Sequence, residues 1–247
     1  MRHSDRIMAQ HKSNDEKKNT LKKTLVLYTM NEINGVKSIF DRIPIHLFDQ
    51  FFVMDNHSDD GTVEFLEEHN VKVIQQKKPG RTNALIEAVG YAIGDIIVSL
   101  SSDGNENPED IPKILEKFGE GYEMVTASRF LPDSKVDVGD DKLRIRVFGN
   151  KLCAFLVNAC WGTNVTDTTN ALRGITKSCY KRAKLNTFGY TENFQLTIRC
   201  AKLKIKITEV PTEELPRIGG VVKANTNGVM IAMIRAFLNE LKIGKNF

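Results

Sequence analysis

The sequence predicts an α/β fold: a mostly parallel central sheet with helices on both faces. Two patterns carry that expectation. From Thr24 onward, short β-branched runs alternate with helical periodicities, and polar clusters fall where such strands would end. The 247 residues, 41% of them hydrophobic, supply enough apolar mass for one sizeable domain and exclude a disordered chain or a miniprotein scaffold.

Thr24–Thr29 (TLVLYT) reads as the first strand, and Ile33, Val36 and Phe40 then recur at helical spacing until Pro44 stops the helix. Gln50–Met54 reads as a second strand ending at Asp55. Asp60-Gly61-Thr62 opens a short helix with Asp60 as its cap, and Val71–Gln75 reads as a third strand. Ala84, Leu85, Ala88, Val89 and Ala92 mark one face of a long helix before a fourth strand, Asp95–Leu100. Pro108 suits a first helical turn, and Ile111, Ile114, Leu115 and Phe118 continue that helix to a strand at Glu123–Ala127. The stretch from 131 to about Gly139 has no period and reads as a loop that orders on binding. Beyond it the pattern predicts a helix through Cys160, a turn from Asn164 to Asn170, a strand near Ala171–Thr176, a helix around Phe194–Lys202 and a strand Ile205–Val210.

Charge and cysteine content narrow the function classes. Lys and Arg exceed Asp and Glu by four, and residues 1–23, with seven basic and three acidic residues, hold the whole excess. The body is neutral and gives no footprint of a nucleic-acid binder. Cys153, Cys160, Cys179 and Cys200 form no C-x-x-C pair and are read as core residues in a reducing compartment. There is no apolar stretch of signal-peptide type, and the longest apolar-rich run, Val229–Leu238, is interrupted by Arg235, so a soluble, cytoplasmic chain is expected.

Ligands of such sheets bind at the carboxyl ends of the strands. Asn31-Glu32, Asp55-Asn56 and Asp103-Gly104-Asn105 are predicted there, whereas neither G-x-G-x-x-G after the first strand nor G-x-x-x-x-G-K-[ST] is present. Glu32 after the first strand, VMDNHSDDGT (53–62), GRTNA (80–84), IIVSLSSDGNENPEDIP (96–112), TASRF (126–130), NVTDTTNALRG (164–174), TEVP (208–211) and RIGGVVK (217–223) occur in that order. Together they resemble family-2 glycosyltransferases of the GT-A fold, in particular the polyprenol-phosphate sugar synthases typified by dolichol-phosphate mannose synthase. The likeness runs from about Thr24 to Lys223. With the polar, aperiodic residues 1–23 read as a mobile tail and 224–247 read from its spacing as a C-terminal amphipathic helix, the resemblance makes 24–223 a GT-A glycosyltransferase domain.

The resemblance implies inverting, metal-assisted transfer of a sugar from a UDP- or GDP-linked donor to a polyprenyl-phosphate or other surface-glycan acceptor. Thr29, Asn31, Glu32, Asp55, Arg81, Ser102 and Asp103 would then surround the nucleotide. Asp103 and Asn105 would hold Mg²⁺ or Mn²⁺, Arg217 and Lys223 the pyrophosphate, and Arg129 and Arg146 the acceptor phosphate. Asp103, Arg217 and Asp167 are the implied catalytic set. The physics agrees with this division: a hard oxygen ligand such as Asp103 suits those cations, and guanidinium or ammonium groups offset phosphate charge directly.

The departures are specific. The family's Asp-x-Asp falls on Ser101 and Asp103, so one metal carboxylate is replaced by a hydroxyl, with Glu106, Arg217 and Lys223 as the groups that could compensate. Asp167 matches the D-x-x-x-G-[FY]-R segment, but Ala171 and Leu172 replace its Gly and aromatic, and Gln195 stands where a Glu is usual. A sugar hydroxyl acceptor would need a base, for which Asp167 or Glu192 are available. A nucleotide-sugar-binding pseudoenzyme and a sugar nucleotidyltransferase remain alternatives, the second lacking a Gly-rich basic loop after the first strand. His57 is read as a solvated loop residue and Trp161 as a packing anchor.

In Asn225–Ile243, residues Val229, Met230, Met233, Ala236, Phe237 and Leu241 fall at helical spacing. Packing on the domain, pairing with a second copy as a homodimer, and contact with the inner face of a membrane are all open to such a helix. A lipid-phosphate acceptor favours the membrane.

Overall fold

The computed structural model describes residues 21–136, 141–187, 190–218, 226–245 and 247. The expected tail lies almost wholly outside them. The chain runs β1 (Lys23–Thr29), α1 (Ile33–Ile39), β2 (Gln50–Asp55), α2 (Thr62–Glu68), β3 (Val73–Gln75), α3 (Arg81–Tyr91), β4 (Ile96–Ser101) and α4 (Ile111–Gly119). It continues through β5 (Met124–Ser128), α5 (Asp141–Trp161), β6 (Arg173–Thr176), α6 (Lys177–Ala183), α7 (Glu192–Lys202), β7 (Ile207–Pro211) and α8 (Thr226–Ile243).

The described strands form one sheet in the order β3-β2-β1-β4-β6-β5-β7. All neighbours are parallel except β6, which runs antiparallel to both β4 and β5. Period-two alternation sends Leu25 and Leu27 into one core and Val26 into the other. The first core lies under α1, α2 and α4, and the second under α3, α6 and α7. A smaller cluster joins α5, α7 and α8 through Val157, Phe194, Ile198 and Met233.

Three elements differ from the sequence reading. β3 starts at Val73 rather than Val71, because the Val71 amide closes α2 by donating to the Leu66 carbonyl after a left-handed Asn70. β7 starts at Ile207 for the same reason: Lys204 is left-handed and the Ile205 amide caps α7 at Cys200. Helix α6 has no counterpart in the periodicity, since only Cys179, Tyr180 and Ala183 of its seven residues are buried; Thr176 caps it by accepting from the Cys179 amide.

The cap of α2 is Gly61, left-handed at φ 92°, rather than Asp60, because the helix starts only at Thr62; Asp60, one residue before the cap, accepts from the Thr62 amide at 3.1 Å and from the Ile33 amide at 3.0 Å, tying α2 to the start of α1. Burial alone would raise its carboxyl, but these bonds and that from the Thr62 hydroxyl outweigh it and hold the group below its ordinary value. Trp161 meets Phe237 edge-on at 5.6 Å, an anchor between α5 and α8. Cys179 and Cys200 are buried in the core, whereas Cys160 is exposed.

Candidate active site

A cavity of about 410 Å³ opens at the carboxyl ends of β1 and β4. Thr29, Glu32, Arg81, Ser101, Ser102, Asp103, Arg146 and Arg217 line it, so eight sequence-predicted or neighbouring polar residues converge from five separate segments. One close approach fixes that convergence. A Cβ on Gly35 would sit 2.1 Å from the Ser102 carbonyl oxygen, so α1 can press Glu32 toward the end of β4 only because residue 35 lacks a side chain.

Arg217 is the centre of the charge arrangement. Its Nη1 donates to Asp103 Oδ2 at 2.8 Å and its Nη2 to Glu32 Oε1, so one guanidinium bridges two carboxylates from different strands' ends. The segment that carries it is stitched down: Leu215 N donates to Asn105 O at 2.9 Å, Asn105 Nδ2 to Leu215 O at 2.6 Å, and Ile218 N to Asp103 O at 3.1 Å. Asn105 therefore spends its amide on delivering Arg217 and is not among the cavity-lining residues.

Asp55 and Asn31 stand behind the wall rather than on it. Asp55 is fully buried and accepts from both the amide (2.9 Å) and the hydroxyl (2.5 Å) of Ser58. Ser58 in turn receives the Asn31 amide, and Asn31, left-handed at φ 55°, exchanges two side-chain bonds with Asp59. His57, exposed in the same loop, places Nε2 3.0 Å from the Gln76 carbonyl.

Arg81 opens α3 and reaches Glu192 in the first turn of α7 at 2.8 Å. Burial would pull this guanidinium down, but Glu192 outweighs it and the group stays charged. Glu106 is also occupied: its oxygens accept from the amides of Ser101 and Leu172, each at 2.7 Å, joining β4 to the start of β6. Burial, with Asp103 nearby, pushes its carboxyl up to about 7. It is not positioned as the missing cation ligand.

Arg129 and Asp167 are brought to each other rather than to the cavity lining. The fork is bidentate, at 2.7 and 3.1 Å, and Arg129 also donates to Thr169 and lies 3.5 Å from Glu214. Burial would raise Asp167, but Arg129 and the loop amides outweigh it and hold the carboxyl below its ordinary value. Glu209 fixes this loop from below, accepting from the amides of Thr166 and Asp167 at 2.8 Å. Arg146 differs: it lines the cavity, is exposed, and has no ion pair among the described residues. Lys223 lies outside the described residues.

Sequence reasoning missed Tyr190 and Asn193, which line the cavity from the start of α7. Their only signal was adjacency to Glu192. Among the described residues no three His, Cys, Asp or Glu side chains gather into a metal cluster.

A family model described as glycosyl transferase family 2 matches residues 29–183. Glycosyltransferase AglJ of Haloferax volcanii is 28% identical over 194 residues, which span 78% of this chain but 62% of that protein. A dolichyl-phosphate hexose transferase of the same organism is 29% identical over 79% of this chain and 83% of its own length. Among solved structures, glucosyl-3-phosphoglycerate synthase of Mycobacterium tuberculosis, in complex with Mn²⁺, UDP-glucose and phosphoglyceric acid, superimposes with a TM-score of 0.71 at 20% identity. That match covers 91% of this chain and 82% of the synthase, and it shows the GT-A fold. The matched model covers more than half of the chain and much of the cavity lining, from Thr29 through Asp103 to Ala171, and on that ground the chain belongs to glycosyl transferase family 2.

Proposed function

We propose that this glycosyltransferase moves a sugar from a UDP- or GDP-linked donor to a lipid phosphate, with inversion, at the inner face of a membrane. One observation carries the reading: a single cavity holds both an arginine clamped between two carboxylates, Arg217, and a second arginine without an ion pair among the described residues, Arg146. The first supports a diphosphate site and the second an acceptor-phosphate site. The names of the relatives support the substrate classes, since one is a dolichyl-phosphate hexose transferase and the structural neighbour was solved with UDP-glucose and Mn²⁺.

A donor diphosphate entering the cavity competes with Asp103 and Glu32 for Arg217. The guanidinium then neutralises charge that builds on the bridging oxygen as the sugar leaves. A phosphate acceptor is already ionised near neutral pH, so its attack on the anomeric carbon needs positioning more than a strong base. Arg146 supplies that positioning. Asp167, committed to Arg129, serves in this reading as the support of the 164–170 loop.

The donor set fits a divalent cation only when it is shared with substrate. Asp103 offers one carboxylate and Ser101 a neutral hydroxyl on the same wall, and Mg²⁺-type ions are commonly held by one or two carboxylates plus substrate phosphates and water. Asp103 would hold such a cation, which supplies further charge neutralisation on the diphosphate when bound. Lys223 is a candidate second cation for the pyrophosphate.

Steady-state transfer to a polyprenyl phosphate in detergent tests the acceptor assignment. Arg146→Ala raises the acceptor KM about tenfold or more while leaving donor KM nearly unchanged, as loss of a charge-assisted phosphate contact predicts. Arg129→Ala instead lowers the unfolding temperature, because it leaves the Asp167 carboxylate buried without its partner. An acceptor KM that responds to Arg129→Ala and not to Arg146→Ala reverses the two roles.

A further inference from the structure

We infer that the outward faces of α5 and α8 form one docking surface for an anionic lipid leaflet. A helix at the surface of a soluble domain buries its apolar stripe and turns polar residues to water. α5 packs Ala154 and Val157 inward, yet Ile145, Phe148, Leu152 and Phe155, spaced along its opposite face, are 45–70% exposed. α8 repeats the pattern. Val229, Met233, Ala236 and Phe237 pack on the domain, while Ile231, Ile234, Leu238 and Leu241 are 46–58% exposed.

Trp161 and Phe237 join the two helices, and α8 is held in place by Glu240, buried against Arg199 and Lys202 of α7. The exposed stripe of α8 is therefore carried by a helix fixed to the domain. Charge selects the occupant. Between residues 145–161 and 226–245 the sole acidic residue is the buried Glu240, and the exposed charges, Arg146, Lys151, Arg235, Lys242 and Lys245, are all positive. A second copy pairing through this face would set like charges against one another. An anionic leaflet meets apolar side chains and cations together.

The surface and the cavity share helix α5, through Arg146. Arg146, which lines the cavity, follows Ile145 and precedes Phe148 along that helix, so a phosphate carried by a docked membrane lipid would reach the site along the same element. This inference rests on the lipid-phosphate reading of the site for its purpose. No described helix is long and apolar enough to cross a membrane, which leaves surface contact as the mode open to these two helices.

Co-sedimentation of the full chain with phosphatidylcholine vesicles, with and without phosphatidylglycerol and at low and high salt, tests the proposal. The wild type pellets with the anionic vesicles and less so at high salt. F148S/F155S and I234S/L238S each weaken partitioning about tenfold or more, since apolar burial and charge act together. Their unfolding temperatures stay near wild type, because the altered side chains are exposed. Absence of wild-type binding to any vesicle overturns the proposal, as does binding that neither pair of substitutions changes. A response to one pair alone overturns the single-surface assignment. A concentration-dependent dimer in sedimentation equilibrium that the same substitutions abolish assigns the face to a second copy instead. The vesicles contain no acceptor, so failure here is separate from failure of transfer to polyprenyl phosphate in detergent.

Discussion

Asp103→Ala lowers sugar transfer by about a thousandfold, the scale of losing a preorganised electrostatic element at the reacting bond. Two effects combine in that loss. Asp103 Oδ2 holds Arg217 at 2.8 Å, and the same carboxylate is the only one left in the Ser101-x-Asp103 slot where the family has two. Structural damage is small by comparison, because among the described residues the Asp103 carboxylate otherwise accepts only the Asn105 amide, at a long 3.2 Å, and the Asp103 carbonyl that holds Ile218 is unaffected by the substitution. Asp103→Asn, which keeps the shape and removes the charge, is nearly as damaging. Wild-type turnover in the Asn variant at limiting Mn²⁺ would show that the charge is not used.

Glu240→Ala has the largest expected effect on stability. Its carboxylate is fully buried with Arg199 at 2.9 Å and Lys202 at 2.6 Å, and it also accepts from Gln195 at 2.9 Å. Removing one partner of a buried ionic cluster leaves uncompensated charge and costs about 3–5 kcal/mol. For a chain of this size that is a fall of about 6–20 °C in Tm, measurable by calorimetry. The pH dependence has a definite sign. Burial alone would raise the Glu240 carboxyl, but the bonds from Arg199 and Lys202 outweigh it, and the folded pKa lies below the unfolded one. Its stabilisation is therefore present above the ordinary carboxylate pKa and lost as pH falls through the depressed folded value. The wild type shows this acid limb, and the Ala variant lacks it. Replacing Glu240, Arg199 and Lys202 together with apolar residues recovers much of the loss, since a buried ion pair is often no better than good packing.

The sheet was legible because its strands carry short runs of β-branched and other apolar residues and its helices clean periodicities, as in IIV of β4 and Ile111, Ile114, Phe118 of α4. Strand ends were less so. Val71 and Ile205 look like strand residues, but their amides are taken by helix caps, a choice made by the left-handed Asn70 and Lys204 before them. The antiparallel insertion of β6 depends on contacts far apart in sequence and leaves no local mark. At the site, residue type identified Glu32, Arg81, Asp103, Arg146 and Arg217, all of which reach the cavity. It could not tell a carboxylate facing the cavity from one capping its own loop, so Asp55 and Asp167 read the same as Asp103. Their partners, Ser58 three residues on and Arg129 across a fold of the chain, decide the difference. The outward apolar faces of α5 and α8 were half visible: helical spacing showed that apolar residues line up on α8, and only packing shows which of them stay uncovered.

Calorimetric titration of UDP and GDP into the full chain, with Mn²⁺ and with EDTA, bears most directly on the central claim that this cavity holds a nucleoside-diphosphate donor across Asp103 and Arg217. One nucleotide binds per chain, more tightly with Mn²⁺, and the Mn²⁺ gain is lost in Asp103→Ala. Binding of neither nucleotide under either condition, or a Mn²⁺ gain that survives Asp103→Ala unchanged, would contradict that claim.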